Sequence, residues 1–114
     1  MPFLSLIIVC AAPAVSRGHA FPDHADPRVG STVPPPASVR IWFTGALEPA
    51  FSTIAVLDSN GRKVDKGDGR VNTSDATLLE ISVQTLAAGT YRVVWNVVSR
   101  DGHRTNGDHT FTVK

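Results

Sequence analysis

The chain has 114 residues, 42% of them hydrophobic, and a formal charge of +1 at neutral pH. That length supports one domain around one core. The balanced charge provides no electrostatic footprint for nucleic acid or an anionic membrane surface, and a single cysteine, Cys10, excludes an internal disulfide.

Phe3–Val15 (FLSLIIVCAAPAV) is apolar and uncharged. It is too short to span a bilayer and suits the apolar region of a secretory signal, although no Lys or Arg precedes it. The alternative is a buried first strand or helix, and lipid attachment at Cys10 is disfavoured by the bulky Val9 before it. With residues 1–18 as a signal peptide, Ser16 and Gly18 occupy the small-residue positions and cleavage frees His19 as the start of a domain over 19–114. Cleavage after Ala20 also satisfies the pattern and would discard His19. Loss of residues 1–18 removes Met1, Cys10 and Arg17, leaving ten basic and ten acidic side chains and no sulfur. The remaining chain then has no soft ligand for a monovalent metal.

Phe21–Pro36, rich in Pro, Asp, Gly and Ser, reads as an irregular arm with at most one short edge strand. Val39–Phe43 alternates apolar and other residues and predicts a strand, which Gly45–Pro49 ends. Ser52–Leu57 is the next strand, and Asp58–Gly61 (DSNG) is a turn in which Asn-Gly supplies positive φ. Val64 and Val71 mark short strands around Gly67-Asp68-Gly69, Leu78–Val83 is another, and Leu86–Gly89 is a turn. Thr90–Ser99 (TYRVVWNVVS) is the longest strand, and because both its faces are partly apolar it belongs in the middle of a sheet. A ten-residue loop, Arg100–His109, then leads to a closing strand at Thr110–Val113. About seven short strands with regular turns and no helix predict an all-β, antiparallel sandwich or barrel.

The chemistry concentrates in Asp101-Gly102-His103, just after the longest strand. In extended backbone, residues two apart face the same side, so a carboxylate and an imidazole would converge. The plain alternative is a loop in which Asp caps amides and His is solvated. An N-terminal His19 would add two nitrogens, its ring and its α-amine. Such a nitrogen and oxygen set suits tetragonal Cu(II), with Ni(II) and Zn(II) not excluded by affinity order alone. Binding needs the amine deprotonated, so affinity should fall in mild acid, the free amine having a pKa of about 8. His24 and His109 read as solvated arm and loop or strand-entry residues, and Asp23 and Asp26 as at most a weak carboxylate site. Trp95 reads as core, close enough to report bound Cu(II) by quenching. Neither HExxH, CxxC, G-x-S-x-G nor a phosphate-binding glycine loop occurs, and Glu48 and Glu80, the only glutamates, have no partner for acid–base work.

These residues fall into a longer pattern: His19-Ala20 with Pro27 and Gly30 downstream; Leu47-Glu48-Pro49-Ala50-Phe51-Ser52; then Leu86-x2-Gly89-Thr90-Tyr91-x3-Trp95-x2-Val98-Ser99-x-Asp101-Gly102-His103, with Gly107 and Phe111-x-Val113. In this pattern the chain resembles the CopC family of bacterial periplasmic copper-resistance proteins, over nearly all of residues 19–114. The resemblance implies a cupredoxin-like Greek-key β-sandwich or barrel of about seven strands. It also implies a Cu(II) site made by His19 (amine and ring), Asp101 and His103, and the offset from His19 to Pro27 and Gly30 favours cleavage after Gly18.

The sequence departs from the family at two places. Leu47–Ile54 has no methionine where some relatives carry a methionine-rich Cu(I) site, so the chain looks like the Cu(II)-only type. Gly45-Ala46 follows Phe43-Thr44 where relatives often have an acidic residue that would orient an imidazole. The implied function is that of an exported, monomeric, non-enzymatic periplasmic carrier. It would bind one Cu(II), buffer or sequester it, and pass it to a CopD-type inner-membrane copper transport protein. A histidine-brace copper monooxygenase and a metal-free β-sandwich interaction domain are the alternatives.

Overall fold

The computed structural model describes residues 19–114; the expected signal, its cleavage site and Cys10 lie outside the described residues. Among the described residues, eight strands form two four-stranded sheets. They are β1 (Pro22–Asp26), β2 (Thr32–Val33), β3 (Ser38–Phe43), β4 (Thr53–Leu57), β5 (Arg70–Val71), β6 (Leu78–Ser82), β7 (Gly89–Val98) and β8 (Arg104–Val113). One sheet has the order β1-β3-β6-β5 and the other β2-β8-β7-β4. Only β5–β6 and β7–β8 are hairpins within a sheet; the other connections cross from sheet to sheet, and the result is a sandwich rather than a closed barrel. No helix among the described residues is long and apolar enough to cross a membrane.

The core is the inward set of both sheets. Val39, Ile41 and Phe43 of β3 meet Leu79 and Ile81 of β6 on one side, and Val56, Val93, Trp95, Val97, Phe111 and Val113 on the other. All are nearly or fully buried, as period-2 alternation requires. As its two apolar faces predict, β7 lies inside its sheet, between β8 and β4. The turn after β4 forms at the expected place: Asp58 accepts from the Asn60 and Arg62 amides, and Gly61 alone takes positive φ, 81°.

The structure corrects the sequence reading in three places. The arm 21–36 holds two strands: β1 pairs antiparallel with β3, and β2 pairs parallel with β8. The chain is thereby stitched across both sheets before the core strands begin. Val64 lies outside the strands, between the isolated bridges Leu57–Lys63 and Asp65–Val83. The third correction bears most on function. The predicted loop over 100–109 is mostly strand, because β8 begins at Arg104 and runs ten residues against β7. Arg104, Asn106, Asp108 and Thr110 are exposed, while Thr105, Gly107 and His109 face inward. Polar composition and an Asn-Gly pair disguise this alternation. A ten-residue partner strand overrides local propensity, since its hydrogen-bonded rungs satisfy backbone groups of both strands.

Gly107 is where this pairing is most exacting. A Cβ there would stand 2.7 Å from Trp95 Cζ2, and the Trp95 ring is wedged edge-on against Phe43 with centroids 5.2 Å apart. Gly107→Ala should therefore lower the unfolding free energy by about 1–3 kcal/mol through overpacking. Thermal denaturation reads this as a fall in Tm; an unchanged Tm would place the Trp95 ring elsewhere.

Candidate metal centre

The hairpin between β7 and β8 turns through Ser99–His103. The Gly102 amide donates to the Ser99 carbonyl at 2.8 Å and the Ser99 amide to the His103 carbonyl at 2.9 Å. Gly102 takes φ 90°, a conformation for which glycine is suited. The Ala46–Glu48 segment braces the loop: Arg100 N donates to Ala46 O, Glu48 N to Val98 O, and Leu47 bridges Ser99.

Within this turn Asp101 is engaged through both carboxylate oxygens. Oδ1 receives the Ser99 hydroxyl in a short hydrogen bond and the His103 amide at 3.1 Å. Oδ2 lies 2.7 Å from His103 Nδ1. The Ser99 hydroxyl, followed by the His103 contacts, holds the Asp101 carboxyl down at about 2, against an ordinary 3.8. With Nδ1 directed at the carboxylate, His103 presents Nε2 outward, the arrangement in which a carboxylate fixes the tautomer of a ligating imidazole.

The second half of the centre comes from the N-terminal segment. Phe21 is tied to the end of β3: its amide donates to Thr44 Oγ1 at 3.1 Å, and its carbonyl accepts from Thr44 N at 2.8 Å. Ala20 is fully buried and joins the core cluster. Its carbonyl accepts from the Thr105 hydroxyl on β8 at 2.8 Å. The segment thus crosses the mouth of the sandwich from one sheet to the other, delivering His19 to the D-G-H turn. The His19 and His103 rings meet edge-to-face, centroids 4.3 Å apart at 84°. The three residues singled out from sequence are brought together although 82 positions separate the first two.

Among the described residues, no three His, Cys, Asp or Glu side chains make a ready-formed metal cluster. The centre instead has two adjacent imidazoles, one bonded to a carboxylate, and a further hard donor where His19 carries a free α-amine. Gly45 sits beside it: a Cβ at that position would stand 3.7 Å from the His19 carbonyl. The missing acidic side chain would thus have been close to His19.

The remaining candidates lie elsewhere. The His24 ring stacks on Trp42, centroids 4.5 Å apart, with Nδ1 2.7 Å from Asp23 Oδ2 on the exposed side of β1. His109, expected in a loop, is an inward residue in the middle of β8, opposite Val93. Burial pushes its imidazole pKa below the ordinary value, Asp108 opposing this, and its Nε2 is enclosed without a hydrogen-bond partner. The sequence reading missed Ser99, Thr44 and Thr105 as supports. Only Ser99 had a local signal: it lies two residues before Asp101, within reach for a side-chain bond.

The depressed Asp101 pKa has a definite sign. In metal-free protein its stabilising contribution is present above pH 3.8 and lost as pH falls toward about 2. Asp68 and Asp75 are also lowered, by contacts to Ser82 and Thr77. The test is thus a difference: acid-dependent unfolding free energy should fall more steeply for the native sequence than for Asp101→Asn over that window. Identical slopes would contradict the hydrogen-bond set.

The CopC domain family model matches residues 23–114, a span that contains Asp101 and His103 and begins after His19. The copper transport protein CutJ of Bacillus subtilis (strain 168) is 30% identical over 110 residues, covering 95% of this chain and 20% of CutJ, so the chain spans one-fifth of that relative. The crystal structure of CopC from Methylosinus trichosporium OB3b is similar with a TM-score of 0.74 and 36% identity over 84% of this chain and 94% of that one. The crystal structure of PcoC from Escherichia coli, described as a methionine-rich copper resistance protein, gives a TM-score of 0.76 and 30% identity over 84% and 99% of the two chains. With the family match spanning most of its length, the chain belongs to the CopC domain family.

Proposed function

We propose that the protein binds one Cu(II) at the mouth of the sandwich and carries or buffers it in copper homeostasis or resistance. The observation that carries this reading is the contact of His19 with His103, itself bonded to Asp101. His19 would supply its amine and ring nitrogen, His103 its Nε2, and Asp101 a carboxylate oxygen that keeps lone pairs beyond the one facing Nδ1, four nitrogen and oxygen donors that suit tetragonal Cu(II). The absence of Met and Cys from residues 19–114 leaves no soft ligand for Cu(I), which favours handling of the divalent ion. The names of the relatives, a copper transport protein and a copper resistance protein, support a carrier over a histidine-brace enzyme.

In this reading residues 1–18 are an export signal, residues 19–114 act in the periplasm as a monomer, and a CopD-type inner-membrane protein receives the metal. The side chain of His103 is 60% exposed, which suits release to a partner. Exchange is also helped by acid: each pH unit below the amine pKa of about 8 costs about tenfold in affinity from that donor alone.

The test is Cu(II) added to protein whose first residue is verified by mass spectrometry as His19. Electron paramagnetic resonance should show one tetragonal, nitrogen-coordinated Cu(II), saturating at one equivalent. His103→Ala and Asp101→Ala should each weaken binding by at least about tenfold, equivalent to about 1.4 kcal/mol. Absence of the nitrogen-coordinated signal at one equivalent would sink the assignment.

A further inference from the structure

Thr105 lies two residues beyond His103, on the inward face of β8, and its hydroxyl donates to the Ala20 carbonyl across 85 positions of sequence. Ala20 follows His19 directly, and His19 is the residue whose ring meets His103. Neighbouring residues of the N-terminal segment are therefore matched to positions two apart where the turn enters β8: His19 to His103, Ala20 to Thr105. The anchor on the opposite sheet is of another kind. Thr44 bonds Phe21 through its backbone amide as well as its hydroxyl, so half of that tie survives any substitution, and it acts one residue further from His19. The Thr105 bond is made by a side chain alone.

We propose that Thr105 is a positioning residue of the centre: by fixing the Ala20 carbonyl it sets where the amine and imidazole of His19 stand relative to His103. Its consequence for metal binding rests on the copper reading above. Chain ends are poorly ordered unless tied down. A ligand residue held in place before the metal arrives loses less freedom on binding, and so binds more tightly. The tether is one residue from the donors, so displacement of the Ala20 carbonyl passes directly to His19.

The experiment compares the native sequence with Thr105→Val, which keeps shape and loses the hydroxyl, and Thr105→Ser, which restores it, each verified to begin at His19. Thr105→Ala replaces the valine variant if valine is not accommodated. In metal-free protein, NMR should show cross-relaxation between the His19 and His103 rings in the native and serine proteins. It should be lost in the valine protein, with Trp95 and Phe111 core signals unchanged. In competition titrations with Cu(II), the valine variant should bind 10- to 100-fold more weakly, as on loss of groups that orient ligands, with serine recovering most of this. In a His19→Ala background, where only the amine of residue 19 is left to position, the Thr105→Val change should cost clearly less Cu(II) affinity than in the native background, because the two act partly through one route. Retained ring contacts in the valine protein, or an equal affinity loss in both backgrounds, would overturn the proposal. Failure of the native protein to bind Cu(II) would overturn the copper reading alone, and the metal-free measurement would still decide whether Thr105 positions His19.

Discussion

The ten-rung ladder between β7 and β8 is the constraint on which the rest depends. It runs from Gly89–Val113 to Val98–Arg104 without a shift in register. One end abuts the short parallel strand that anchors the N-terminal arm. The other end can close only through the Ser99–His103 turn, so the position of Asp101 and His103 is set by the pairing of the two longest strands. The same ladder carries Trp95 against Gly107 and presents Thr105 to the incoming segment. A slip of one residue would reverse every side chain of β8, exposing Phe111 and Val113 and withdrawing Thr105 from Ala20.

The end of the sandwich is closed by the N-terminal segment, not by a loop of its own. Ala20 fills it as a core residue, with Phe21 bonded to one sheet and Ala20 to the other. The core and the candidate metal centre are therefore joined at the same place. The residue that seals the core is adjacent to the residue proposed to hold the metal. The carboxylate of Asp101 serves the turn through Ser99 and the imidazole of His103 at once. This sharing keeps it ionised and also holds the imidazole ready.

Much of this was legible in the sequence because it was carried by strong local signals. The alternation in Val39–Phe43 and the two-faced apolar run at Thr90–Ser99 identified β3 and β7, and the Asp-Gly-His spacing anticipated the Asp101–His103 contact. Three kinds of feature were not legible. The first part of β8 has an Asn, a Gly and three charged or ionisable residues among Arg104–His109, and only the partner strand reveals it. The arm strands β1 and β2 are short and rest on hydrogen bonds to distant strands rather than on composition. Thr44 and Thr105 act on residues more than twenty positions away, a distance at which neither period nor motif gives a signal.

The central claim is that the α-amine of His19 and the imidazole of His103 meet at one metal ion. Electron–nuclear double resonance on Cu(II)-loaded protein, with the ¹⁵N label confined to the His19 backbone nitrogen, tests it directly. A strongly coupled ¹⁵N from the amine is expected together with strongly coupled imidazole nitrogens, the imidazole part being reduced in His103→Ala. Coupling to imidazole nitrogens with no strongly coupled ¹⁵N would contradict it.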